Sequence, residues 1–201
     1  MRCWILRPSP HGTNQISYFL SEGRVAIGYP VGHSFAGCSY DEIRAFLEQK
    51  GWEAGLGNVA RLVQDMSPDD LLVIPDGREI YFAEVTGNYV YVPELDDDLP
   101  GSGFPHQRPV RFFFDGRPVP RETLPKELLE SLRFPGTIAE ITKHRDVILS
   151  ITEAASPADV GATSSEWTRL VTKSTALLER LLDGDDIEYA LRAAQIVLSH
   201  K

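Results

Sequence analysis

The chain has 201 residues, 42% hydrophobic and 24% charged, which suits one globular domain with an appendage and a core that needs no covalent staples. A net charge of −9 argues against bulk binding to a phosphate backbone, and two cysteines without metal-ligand spacing argue against a disulfide frame or a zinc site. No apolar run reaches the ~20 residues of a membrane helix, and the start is too short and polar for a secretory signal, so the expected location is cytoplasmic.

In chain order, "RCWILRP" reads as a short opening strand, with Trp4 and Leu6 on one side and Cys3, Ile5 and Arg7 on the other. "HGTNQISYFLSEG" is a polar loop leading into a helical turn closed by Gly23, and "RVAIGYP" is a second strand ended by Gly28 and Pro30. After the glycine-rich "VGHSFAG", Ser39 stands three residues before Glu42, the spacing of a capping box. The helix it opens buries Ile43, Phe46 and Leu47 and stops at Gly51. "GNVARLVQDM" has apolar residues at helical spacing, and the nearly all-apolar "LLVIP" suits a central strand. "REIYFAEVTGNYVYVP" is the longest β stretch, bent at Thr86–Gly87, with Tyr89 and Tyr91 on one face and Val90 and Val92 on the other. Beyond the acidic "ELDDD" at 94–98 come another strand, "HQRPVRFFFDG", and a short helix, "KELLESL". "GTIAEIT" reads as a last strand or a helical turn.

Residues 153–164 are small and turn-prone, the composition of a linker, and 165–201 carry two apolar-striped segments that predict an αα-hairpin. The fold class is therefore α+β, a small curved sheet or open barrel over residues 1–152 with flanking helices, plus the C-terminal hairpin.

Enzymatic signals are weak. No GxSxG, Walker A or HExxH pattern occurs, and the glycine-rich loop lacks GxGxxG spacing. His33 and Ser34 are adjacent rather than an evident nucleophile–base pair. Glu140 and Lys143 offer two nuclease-like side chains without a partner aspartate, and the five histidines are scattered. No catalytic residue, metal or cofactor is expected. The aromatics carry more: Trp4, Tyr29, Tyr81, Phe82, Tyr89, Tyr91 and Phe112 to Phe114 lie in or beside strands, where they either pack against cross-strand neighbours or offer faces on which a base stacks. Tyr91 is expected to be structural and Tyr89 to face a site. The segment 107–145 holds eight Lys/Arg against five Asp/Glu, so a local basic surface is compatible with the acidic total.

The run of "CWILR", "GRVAIGY", "HSFAG", "LLVIP", "AEVTGNYVYVP" and "HQRPVRFF" resembles, over roughly residues 2–145, a bacterial module fused to Mrr-like restriction endonucleases and similar to EVE and PUA-like domains. The resemblance implies a compact β-barrel-like fold with a pocket for a nucleobase, often a modified one. Matched segment by segment, Trp4 and Arg7 would stand beside that pocket and Gly28–Tyr29 where Gly-Trp is common. Glu84, Thr86, Gly87, Asn88 and Tyr89 would match a "GEVTGDY"-like segment, and His106, Arg108, Pro109 and Arg111 an "HxRPVxW" segment. The departures are Tyr29 for Trp, Asn88 for Asp, Val90 for a basic residue and Ser34 for an acid, and the helical hairpin stands where the nuclease domain usually follows.

Two kinds of function follow. In the first, the chain is a non-enzymatic reader of a modified or flipped base in DNA, with RNA a close variant, linked to restriction or phage defence. Tyr29, Tyr89 and Trp4 would stack, Thr86 and Asn88 would read an edge, and Arg7, Arg108 and Arg111 would hold phosphates. A homodimer or a nuclease partner would use the hairpin. In the second, the chain is an acidic interaction or regulatory module, through loop 94–98, a dimerising hairpin or mimicry of a nucleic acid, and binds no base.

Overall fold

A computed structural model of the chain describes residues 1–99 and 101–153; the expected hairpin and nearly all of the expected linker lie outside the described residues. Among the described residues, eight strands and five α-helices follow in the order β1 (Cys3–Leu6), α1 (Ile16–Glu22), β2 (Arg24–Ile27), α2 (Tyr40–Glu48), α3 (Leu56–Ala60), β3 (Leu71–Asp76), β4 (Glu79–Val85), β5 (Val90–Tyr91), β6 (His106–Phe112), β7 (Val119–Pro120), α4 (Lys126–Ser131), β8 (Ile138–Glu140) and α5 (Arg145–Glu153). The strands form one curled, mixed sheet of order β2-β6-β4-β3-β1-β8, a half-barrel, with β5 added to β6 and β7 to β4. The α+β class and the curved sheet expected from sequence are thus observed. Among the described residues, no helix is long and apolar enough to cross a membrane.

The central pair β1 and β3 is parallel, joined by a crossover that carries α1, β2, α2 and α3. Both strands are almost wholly apolar because both of their faces are covered. Trp4, Leu6, Leu72 and Ile74 enter one core with Phe19, Ile43, Leu47, Val59 and Leu62 from α1, α2, α3 and its continuation. Cys3, Ile5, Leu71 and Val73 enter a second core with Leu128 and Leu132 at α4 and Ile148 of α5. Burial there pushes the Cys3 thiol up to about 11, so it stays protonated.

Local signals account for the boundaries. Ser39 Oγ accepts the Glu42 N–H at 3.3 Å while the Glu42 carboxylate accepts the Ser39 N–H at 2.7 Å, the reciprocal capping box read from sequence. Those bonds to Ser39 hold the Glu42 carboxyl below its ordinary range. Helix α3 runs into a π-turn at Arg61–Asp65, where the Met66 N–H reaches the Arg61 carbonyl at 2.9 Å. Gly77, with φ +59°, turns β3 into β4.

Strand β6 organises the curl. Along residues 106–109 it pairs with β2, and on its other edge it meets β4 at residues 110–112 and β5 at residues 106–107. Between Val85↔Val110 and Val90↔Gln107 the register shifts by two residues, so the bend at Thr86–Gly87 carries two extra residues. Gly87 makes the bend feasible: a Cβ there would come within 3.0 Å of the Pro109 ring.

Candidate functional site

Where β2 ends, three loops converge on a pocket of about 250 Å3 lined by Ser9, Pro10, His11, Gly12, Gly28, Tyr29, Trp52 and Thr137. The volume lies just below the ~300–1,000 Å3 of pockets for drug-sized ligands and suits one flat ring system. Trp52 stands edge-to-face to both His11 and Tyr29, with ring centroids 6.3 and 6.4 Å away. Gly28 lets the loop at 9–12 close onto β2, since a Cβ there would meet the His11 backbone nitrogen at 3.0 Å. Gly55 leaves the space filled by the Tyr29 ring, whose Cε1 would lie 2.1 Å from an added Cβ. A more open cleft of about 320 Å3 beside Leu20, Val110 and Phe112 has Asp115 as its one ionisable lining residue.

Two pocket residues hold conformations that side chains usually avoid: His11 has φ +49° and Tyr29 φ +71°. A left-handed residue other than glycine costs about 1–2 kcal/mol, so the surroundings must impose it. For Tyr29 they do so at both ends. Its hydroxyl accepts from Asn58 Nδ2 at 3.0 Å, while Asn58 Oδ1 accepts the Ile138 N–H at 3.2 Å, which ties the Tyr29 wall to the start of β8. Its backbone carbonyl lies 3.0 Å from Nε2 of His106.

A carbonyl only accepts, so Nε2 of His106 carries the proton and Nδ1 is bare. Tyr89 therefore donates its hydroxyl to Nδ1 at 2.7 Å, and its oxygen in turn accepts the Phe35 N–H at 3.1 Å. The imidazole is fully buried (0% exposed), stacked on Phe35 with ring centroids 4.4 Å apart and nearly coplanar with the Tyr89 ring at 5.9 Å. Burial pushes its pKa down to about 4, against the smaller opposing effects of the Tyr29 carbonyl and Asp96. Burial likewise raises the Tyr89 phenol. His106 is thus a neutral, singly oriented ring that holds the backbone of the pocket's own tyrosine.

Of the residues expected from sequence to bind a base, Tyr29 lines the pocket. Tyr89 stands one layer behind it, as the donor to His106, and does not line it. Trp4 is a core residue, 1% exposed, with its indole N–H donated to Asp70 at 2.9 Å, so burial removes the face that stacking would need. Thr86 and Asn88 are exposed at the bend over Pro109, outside the lining.

The arginines expected to hold phosphates are engaged elsewhere. Arg108 is 3% exposed and donates to the carbonyls of Leu62, Gly87 and Val63 at 2.6, 3.1 and 3.0 Å. It satisfies the open C-terminal end of the π-turn, a structural role that buries the guanidinium away from any ligand. Arg7 is part-buried and donates to the carbonyls of Gly136 and Leu132 at 3.2 and 3.4 Å, and to that of Phe134. Arg111 is exposed and paired with Glu84.

Residues that sequence reasoning passed over complete the site, His11, Trp52 and Thr137 in the lining and Asn58 behind it, together with His106, which the resemblance matched to a motif without giving it a role. The acidic segment borders the pocket as well. Asp98 Oδ1 lies 3.0 Å from His11 Nε2, and Asp96 accepts the Gly32 N–H at 3.0 Å and the Tyr91 hydroxyl at 2.6 Å. Tyr91 is raised by burial first and then by that bond. Among the described residues, no cluster of His, Cys, Asp or Glu is arranged to hold a metal ion.

A family described as a domain of unknown function, DUF8426, matches residues 4–131, a span that takes in all of the pocket except Thr137. No curated protein matches the chain. With well over half of its length matched, the chain belongs to the DUF8426 family.

Proposed function

We propose that this DUF8426 protein is a non-enzymatic binding module for a nucleobase, a reader of a modified or flipped base of the kind the EVE and PUA-like resemblance implies, acting in restriction or phage defence. The observation that carries the reading is the pocket at the end of β2: a volume suited to one ring system, walled by Tyr29, Trp52 and His11. Extruded bases are held in such a pocket by stacking between aromatic or apolar side chains and by hydrogen bonds to an edge. Ser9, His11, Trp52 and Thr137 supply polar groups for the edge. The enforced backbone of His11 and Tyr29 supports the same reading, because strain of this kind collects at ligand-binding positions.

The test is a titration of the protein with short oligonucleotides, single- and double-stranded, carrying unmodified, 5-methyl- or 5-hydroxymethyl-cytosine or the other common bases. Binding is expected, and Tyr29→Ala and Trp52→Ala should each weaken it by about 1–3 kcal/mol, the value of one stacked base. Their unfolding midpoints serve as the control for folding. A failure to bind any member at low salt sinks the reading and moves the weight to an acidic interaction module, which the exposed Glu94, Asp97 and Asp98 would then serve.

A further inference from the structure

We infer that the pocket captures its base by the ring alone: the ligand is an uncharged nucleobase or nucleoside, free or displayed on a single strand, and phosphates contribute almost nothing. This rests on the nucleobase reading above and narrows it.

Three observations point the same way. Among the described residues, no Lys or Arg lines the pocket. Two arginines adjoin its Thr137 wall, and both have donors committed to the fold. The Arg7 backbone N–H bonds the Thr137 carbonyl at 3.0 Å while its guanidinium serves the carbonyls at the end of α4, and Arg61 Nη1 bonds the Ile138 carbonyl at 3.2 Å. Arg108 and Arg111, the other two cations that sequence assigned to a backbone, are held by carbonyls and by Glu84.

Acidic residues border the lining without being part of it. Asp98 is exposed and stands 3.0 Å from His11, Asp97 precedes it, and exposed Glu53 follows Trp52 in sequence. A strand laid across that side brings phosphates towards carboxylates of like charge, on a protein whose net charge is already −9. Modules that grip a backbone show the reverse, a basic footprint around the site. What the walls do offer suits a neutral ring: aromatic faces, a volume of about 250 Å3 and two hydroxyls, of Ser9 and Thr137.

The deciding measurement is calorimetry on the full chain with free adenosine, guanosine, cytidine, uridine, 5-methylcytidine and 5-hydroxymethylcytidine. Matched short single strands carrying each base, and matched duplexes, are titrated beside them. Each is measured at about 50 and about 300 mM salt, a range over which one phosphate contact to a single strand weakens binding roughly three- to fourfold. At least one nucleoside should bind within roughly threefold of its own single strand, and both should weaken by less than that one-contact amount. Trp52→Ala should weaken both by roughly 5- to 150-fold, and Trp52→Phe, which keeps a ring in place, should restore part of each. A free nucleoside that binds as well as the strand identifies a small-molecule ligand; preference for the strand at the same shallow salt dependence identifies a displayed base, and either supports the inference. Binding confined to oligonucleotides, with the steeper dependence of two or more phosphates, overturns it and leaves the nucleobase reading standing. Absence of any binding that depends on Trp52 and Tyr29, to nucleoside or strand, removes both.

Discussion

His106 is the residue on which the pocket's geometry turns, and its chemistry makes that dependence measurable. The unfolded imidazole takes a proton at about 6.5, but the folded one does so only near 4, so the folded state binds fewer protons between those values. Stability is therefore unaffected above that window and falls as the pH drops through it, by about 3 kcal/mol at its lower end. Urea unfolding from neutral pH to pH ~4 should show this slope in the native protein and lose it in His106→Phe. An equal slope in both would mean that the imidazole is not held neutral. Sequence shows part of this picture. Tyr29 is legible because it follows a glycine at a strand end, and an aromatic there is not needed by the sheet. Trp52 and His11 are not, because neither belongs to a periodic segment: Trp52 trails a helix-stopping glycine, and His11 sits in a proline-flanked turn. A tryptophan stranded in the polar "QKGWEAG" was the available signal.

At the scale of elements, capping and periodicity are local, and they read well. The box at the start of α2, the strand β3 and the bend after β4 all stand where sequence puts them. What sequence cannot display is which element needs a donor from another. Arg108 alternates along β6 as a surface cation might, yet the π-turn ends beside it with carbonyls that nothing nearer satisfies. Burial depresses its pKa, opposed by the Asp70 carboxylate, which also holds Trp4. Arg108→Met should thus cost about 3–5 kcal/mol, with one buried and two part-buried carbonyls losing their donor at once. Urea unfolding checks this directly. A phosphate-binding arginine would behave oppositely, leaving the unfolding midpoint in place and weakening oligonucleotide binding.

At the largest scale, the sheet with a core on each face predicts that residues 1–153 are one cooperative unit rather than two. Leu6 and Ile5 are neighbours on β1 that enter opposite cores, both fully buried. Leu6→Ala and Ile5→Ala should each destabilise by about 2–5 kcal/mol. Far-UV and near-UV signals should still move together through the transition of residues 1–153, because β1 and β3 belong to both cores; two separated transitions would count against this architecture. The parity of "CWIL" already hinted at two-sided burial, but the identity of the covering helices is a long-range property, and α5 had no reading from sequence at all. The shared strand β6 has one more consequence. Sliding it by a single residue would bring Pro105 or Gln107 to the place of His106, and proline has no side-chain proton to give Tyr29. Only the observed register sets an imidazole between Tyr29 and Tyr89, so a ligand held at that pocket would favour correctly threaded molecules by mass action.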